Sequence, residues 1–279
     1  PAEAGLKEGD CTVGTQLGIL EMLQSGTTAY ADMYFFMEET AKVSAETGIR
    51  ACLARGLMGE KYDKEDERLK ENIKLFHDWN GQANGRITVM LGPHAPYTCS
   101  ADYLRLTADT AKELGCGIHI HLAETQQEVK DCVAKNGMTP IQFVDSLGIL
   151  DAGCLVAHGV WATEEEISLL AAKKARVAHN PQSNLKLASG IAPVEKMRQK
   201  GVVVGLGTDG ATSNNNLDML EETRLTAMLH KTVAYDPLAI PAAAAWDMAT
   251  YQGARCIGYE NLGKLEEGFL ADIVLYDMN

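Results

Sequence analysis

Short runs of apolar and β-branched residues alternate along this chain with longer segments of helical periodicity. Seven runs read as strands: 27–33, 50–57, 87–92, 118–124, 155–159, 177–182 and 202–207. Their near-continuous apolar character suits parallel strands covered by helices. The intervening segments carry helix signals. Residues 13–24 have a helical pattern, and Ser100 caps a helix expected to run to Leu114, with Gly115 just beyond its end. Thr163 and Glu166 have capping-box spacing ahead of Ile167-Ser168-Leu169-Leu170. A further helix is expected over 216–231, with Asp218, Glu221 and Glu222 early and His230 and Lys231 late, as the helix dipole prefers. Alternation of this kind predicts an α/β fold with a parallel sheet.

A closed (β/α)8 barrel needs eight strand–helix units in about 250 residues. Seven strands are visible, and the first helix pattern, at 13–24, precedes all of them. The arrangement predicted is a TIM-like barrel that lacks its first strand in this chain, that strand lying upstream of Pro1. The runner-up is an open doubly wound sheet, but no Gly-rich phosphate fingerprint follows any of the strands.

Composition narrows the function. The chain has 279 residues, 46% hydrophobic and 23% charged, enough for a sizeable core. Its formal charge of −13, with no basic cluster, argues against nucleic acid as a partner. No apolar run approaches the roughly 18 residues of a membrane span. The seven cysteines are spread singly, which suits reduced thiols and a cytoplasmic location.

Polar residues gather at the C-terminal ends of the expected strands: Arg55, His94, His121 with Glu124, His158, His179 and Asp209. In a (β/α)8 barrel those ends form the active-site face. His119 and His121 project to one side of their strand and could supply two metal ligands, although the deeper His119 reads better as a barrel-filling residue. His121 with Glu124 three residues on, a further His and a terminal Asp form a plausible metal and acid–base set. Bland alternatives stand beside these readings. Asp209 before a glycine suits a turn, Arg55 could pair with a helix acid, and His94 between prolines could shape a rigid loop. His179 reads as structural at the barrel rim, and His77 and His230 as surface residues. Met219 and Met228 read as core or interface residues.

Several stretches resemble the amidohydrolase superfamily, in its 5′-methylthioadenosine/S-adenosylhomocysteine deaminase branch, close to chlorohydrolases and guanine deaminases. They are Gly26-Thr27-Thr28 with Ala31-Asp32-Met33, Arg55-Gly56-Leu57, Gly92-Pro93-His94-Ala95-Pro96-Tyr97-Thr98-Cys99 and His121-Leu122-Ala123-Glu124-Thr125. Ala157-His158-Gly159, His179-Asn180-Pro181 with Ser183-Asn184-Leu185-Lys186-Leu187, and Gly207-Thr208-Asp209-Gly210 with Ser213-Asn214-Asn215 follow in the family's order. The resemblance implies one divalent metal ion, zinc before iron or manganese, held by His121 and Asp209. It makes Glu124, His158 and Asp209 catalytic, and places Glu3, Arg55, His94, Glu124 and Asp209 against a small-molecule substrate. The implied reaction is hydrolytic deamination of an adenine nucleoside (5′-methylthioadenosine, S-adenosylhomocysteine or adenosine) to a 6-oxo purine and ammonia.

The alternative is a guanine or triazine aminohydrolase or chlorohydrolase of the same superfamily, or a catalytically impaired fragment. The family's first strand ends in an H-x-H that supplies two more ligands, and this chain holds no such pair before its first strand. Metal binding and activity are therefore expected to be weak or absent in the chain as it stands. Lys264 to Leu275 resembles the strand that returns to the family's small β-sandwich. The expected division is a barrel over 1–262 and the start of that return over 263–279. Homo-oligomerisation stays open.

Overall fold

The computed structural model describes residues 3–277. Its parallel strand segments run in chain order as β1 (Ala29–Tyr34), β2 (Arg50–Leu57), β3 (Ile87–Val89) and β4 (Gly92–Pro93). They continue as β5 (His119–Leu122), β6 (Leu155–His158), β7 (Arg176–His179) and β8 (Val203–Leu206). β2 pairs with β1, β3 and β4, while β5 to β8 pair in succession. A bridge from Leu91 to Ile118 joins the two groups, reinforced by bonds from His119 N–H to the Leu91 carbonyl and from His121 N–H to the His94 carbonyl. The result is an α/β barrel wall. Among the described residues no ladder joins β8 back to β1, so the wall is open where the sequence pattern lacks a strand. β1 behaves as an edge accordingly, nowhere fully buried, whereas β2 beside it is buried at all but one position.

All seven expected strands are present, with two informative differences. The run 87–92 is split into β3 and β4, because Leu91 leaves the β2 ladder to bridge to Ile118 on the other side. The run expected over 177–182 stops at His179. Asn180-Pro181 starts the helix Pro181–Lys186 instead, with proline in its first turn, where a missing N–H costs nothing.

Strand periodicity sorts the side chains into an inner and an outer set. Ala29, Ala31 and Met33 of β1 pack inside with Cys52, Ala54, Met90, Leu155, Ala178 and Val203. The helix Tyr251–Cys256 closes the inner cluster through Ala254 and Cys256. At Gly205 a Cβ would lie 2.8 Å from the Gly253 backbone, so that close approach requires glycine. On the outer face Leu53, Ile87 and Val89 meet Met37, Ala41 and Leu75 of the covering helices. Ile118, Ile120, Leu122, Val156, Val177 and Val204 meet Leu104, Ile141, Ile167, Leu170, Met197 and Met248. Each fully buried leucine or isoleucine contributes about 1.5–3 kcal/mol of transfer free energy.

Helix ends follow their signals. Ser100 accepts from Tyr103 N–H at the start of Ala101–Leu114, and Gly115 ends that helix at φ 68°. Thr163 and Glu166 form the expected capping box on Glu164–Ala172. The helix expected over 216–231 is Met219–Ala234, because Asp218 is its N-cap, accepting from Leu220 and Glu221 N–H. His230 is buried, which corrects its expected surface position: its Nε2 lies 3.1 Å from Nε2 of His179, the outward-facing residue at the end of β7. His77 is exposed as expected. No described helix is long and apolar enough to cross a membrane, and all seven cysteines are free.

Residues 263–277 form no helix or strand. A strand exists by pairing, and no described ladder takes this segment in. It lies against the barrel instead: Asp272 accepts a two-pronged ion pair from Arg50 at 2.8 and 2.9 Å, and Tyr276 packs edge-on against Trp246. Both partners of the Arg50–Asp272 pair are largely buried, at 11% and 18% side-chain exposure. Replacing Asp272 by alanine is expected to lower unfolding free energy by about 2–3 kcal/mol, since it strands a largely buried guanidinium. Urea denaturation measures this, and a loss below about 0.5 kcal/mol would class the pair with surface ion pairs.

Candidate active site

The site lies at the C-terminal ends of the strands, where backbone geometry decides which side chains turn inward. His119 and His121 register with Leu155 and Ala157 of β6, and Leu155 is an inner residue, so both imidazoles face the barrel interior. Alternation would send His158 outward with its ladder partner Leu122. Its backbone instead adopts a left-handed conformation at φ 74°, and the ring stacks on His121 with centroids 5.6 Å apart. Ala123 and Asp209, also at strand ends, have φ values of 51° and 62°. Such conformations are costly for residues other than glycine and concentrate at functional sites.

His121 is the centre of the group. His94 lies 5.0 Å from it on one side, centroid to centroid, and His119 6.0 Å beneath. The His94 carbonyl sits 2.9 Å from His121 Nδ1. A carbonyl only accepts, so Nδ1 carries the proton and Nε2 presents a lone pair, the form in which imidazole binds metal. Burial, with His158 adding to it, pushes the His121 pKa down to about 4, and burial pushes that of His119 to about 3. Burial also lowers His94, opposed by the carboxylates of Glu124 and Glu3, and its Nδ1 lies 3.0 Å from the Thr98 hydroxyl.

The carboxylates are held separately. Glu124 accepts from the Ser189 hydroxyl at 3.2 Å, and its other oxygen lies 3.7 Å from His158 Nε2. Its own backbone N–H donates to Glu128, which fixes the turn after β5. Asp209 accepts from the Ser183 hydroxyl and from Gly210 N–H, both at 2.6 Å, and its charge reaches His121. Glu3 accepts from the Tyr34 hydroxyl at 2.8 Å and is near enough to His94 to act on it electrostatically.

The structure therefore brings together His94, His121, Glu124 and His158, with Asp209 and Glu3 acting on this group through their charge. It does not bring Arg55 into the group. By alternation with Ala54, Arg55 points to the helix layer, where it donates to Glu71 at 2.7 Å and stacks over Phe35. This is the helix-acid pairing of the bland alternative. His179 also faces the helices and lies outside the group. Among the described residues no set of three or more His, Cys, Asp or Glu is gathered closely enough to hold a metal ion.

Neither strand-end position nor ligand chemistry gives Ser183, Asn184, Ser189 or Glu222 a role in the site. Ser183 and Asn184 stand within the quoted Asn-Pro…Ser-Asn stretch. The proline is the available signal, because it starts a helix whose first turn faces the site. Glu222 was placed by charge alone, yet it is fully buried, accepting from Asn214 Nδ2 at 2.6 Å and Gln182 N–H at 3.2 Å. It thereby ties the loop that carries Asp209 to the helix that carries Ser183.

The amidohydrolase family profile matches residues 3–279. The chain belongs to that family. It is 51% identical over its whole length to a 5-methylthioadenosine/S-adenosylhomocysteine deaminase of Dictyoglomus thermophilum, and 52% identical to one of Moorella thermoacetica. In each case it spans 65% of the relative's length. Among solved structures, an adenosine deaminase from Xanthomonas campestris with bound zinc superposes with a TM-score of 0.91 at 36% identity. That match covers 96% of this chain and 62% of the other. A zinc complex of atrazine chlorohydrolase from Arthrobacter aurescens gives 0.87 at 25% identity, covering 97% and 64%. Divalent metal is thus bound by structural neighbours within this fold.

Burial raises the Glu222 pKa to about 7, against the pull of its two donors. A carboxyl raised on folding stabilises fully below its unfolded pKa, and that contribution is lost as pH rises through its folded pKa. Glu222→Gln, which does not ionise, is therefore expected to gain stability relative to the parent between about pH 5 and pH 8. Thermal melts of both proteins across that range measure it, and a pH-independent difference would mean that Glu222 does not titrate there.

Proposed function

We propose that this chain carries the site for metal-dependent hydrolytic deamination of an adenine nucleoside, 5′-methylthioadenosine or S-adenosylhomocysteine before adenosine, yielding the 6-oxo purine and ammonia. The observation that carries this reading is the inward-turned His94–His121–His158 group with Glu124 beside it. Relatives about half identical over the whole chain bear the corresponding name.

The residues fit a divalent metal in kind. His121 offers a neutral imidazole with its lone pair on Nε2, and Asp209 offers a carboxylate steadied by Ser183 and Gly210. These two would hold the ion, zinc as in the solved neighbours. When bound, such an ion lowers the pKa of its water toward roughly 7 and so supplies hydroxide at neutral pH. The protein's own groups do the rest. Glu124 protonates the purine ring nitrogen beside the amino-bearing carbon. Asp209 takes a proton from the attacking water and passes it to the amino nitrogen, which leaves as ammonia as the C–N bond breaks, while Glu124 recovers a proton from the new hydroxyl. His158 orients that water and supports the charge developing on oxygen. Glu3 and His94 would read substrate hydroxyls or ring edges. Residues 1–262 form the catalytic barrel in this reading, and 263–279 begin the return to a second, small β-domain.

Two protein donors fall short of the three plus water usual in catalytic zinc sites. Zinc is therefore expected to leave the chain on exhaustive dialysis, with well under one equivalent remaining by elemental analysis. One equivalent retained would mean a further donor.

With zinc in excess, the function test is ammonia release from the three nucleosides, with guanine and a chlorotriazine alongside. Glu124→Gln is expected to lower turnover by at least about 10²-fold, the scale of a general acid–base group, with zinc uptake unchanged. Equal turnover would remove Glu124 from the chemistry. Release from guanine or the triazine alone would move the substrate assignment to that branch, and no release from any would leave a catalytically impaired unit.

A further inference from the structure

His158 and Asp209 come from different strands, yet one short helix holds both. Within Pro181–Lys186, Ser183 donates to Asp209 Oδ2, and the neighbouring Asn184 places its Oδ1 2.9 Å from His158 Nδ1. Asn184 is fixed from both directions along the backbone: its N–H donates to the Asn180 carbonyl, and its carbonyl accepts from Ser189 N–H at 2.8 Å. The helix is anchored in turn through Gln182 N–H on the buried Glu222 carboxylate. Ser189 also donates to Glu124. Residues 183–189 thus touch Asp209 and Glu124, to which the deaminase reading gives proton transfer, and His158, which orients the water.

We propose that Asn184 is a positioning residue that sets the tautomer of His158, its amide oxygen accepting from Nδ1–H so that Nε2 is left bare toward Glu124. The proposal rests on the deaminase reading and adds to it the residue that selects the working nitrogen of His158.

Three observations support it. The left-handed backbone at His158 turns the ring away from its expected outward direction, so something must hold the ring where it is. Asn184 is only 1% exposed, and its Nδ2 has no hydrogen-bond partner, so the buried amide is kept at a desolvation cost and its side chain makes one bond, the one to His158. An amide oxygen also suits both protonation states of the ring. Nδ1 carries a proton in either state, so the Asn184 bond persists and keeps the ring in the orientation that aims Nε2 at the water.

The test is nitrogen-15 NMR of histidine-labelled chain at mildly alkaline pH, where ordinary imidazoles are neutral. The His158 signals are assigned by their loss in His158→Asn. The parent is expected to show Nδ1 protonated and Nε2 bare. Asn184→Asp, which keeps an acceptor, retains that pattern. Asn184→Leu loses it, and Asn184→Ala carries the same expectation should the leucine variant fail to fold. Ser183→Ala, on the same helix, leaves the His158 pattern intact.

A parent spectrum with the proton on Nε2 would overturn the proposal, since the Asn184 amide would then be donating. An unchanged tautomer in the leucine or alanine variant would overturn it too, as would an equal change in Ser183→Ala. These spectra need no metal, substrate or turnover, so they stand apart from the ammonia assay and each can fail without the other.

Discussion

The period-two alternation of parallel strands is the constraint from which the rest of this structure follows. Each strand has one face turned to the helices and one turned inward, and both must be kept from water. The outer face does so with leucine, isoleucine and valine. The inner face has less room and mixes alanine, cysteine and glycine with Met33, Met90, Leu155 and Val203, the Tyr251–Cys256 helix closing in at Gly205. Histidines then occupy the inner positions of β5, above the apolar filling. Their neutrality is a consequence of that place: the dry interior that packs the barrel also pushes the pKa values of His119 and His121 well below the ordinary range.

Much of this was legible in the sequence because strands of this kind announce themselves by composition. The seven apolar runs, the Ser100 and Thr163 caps and the glycine after Leu114 are local signals, and local physics decided them. Arg55, His179 and His230 show where locality stops. Which face Arg55 takes depends on the phase of β2 relative to the barrel, and the strand's unbroken apolar character hides that phase. His230 sits in a helix with early acids and late bases, a pattern that looks solvated. Only its packing against His179 reveals that the helix buries it.

His158 is a different case, since alternation alone would have excluded it from the site. A left-handed residue overrides the strand phase, and nothing in an Ala-His-Gly triplet predicts that on physical grounds. Its strand-end position, and then the family resemblance, put His158 among the candidates, but neither indicates the turn that carries its ring inward. Ser183 and Asn184 were passed over for the opposite reason. Small polar residues after a proline are common in loops, and their importance lies in what they touch.

The Arg50–Asp272 ion pair joins residues 222 positions apart. During synthesis Arg50 precedes its carboxylate partner by those 222 residues. At about 5–20 residues per second, the guanidinium waits roughly 10–45 s on the ribosome without it. Over that interval Arg50 lacks the carboxylate that partners it in the folded chain. The clasp is therefore a late contact for β2, and the pairing of β1 with β2 has to hold its register before Asp272 arrives.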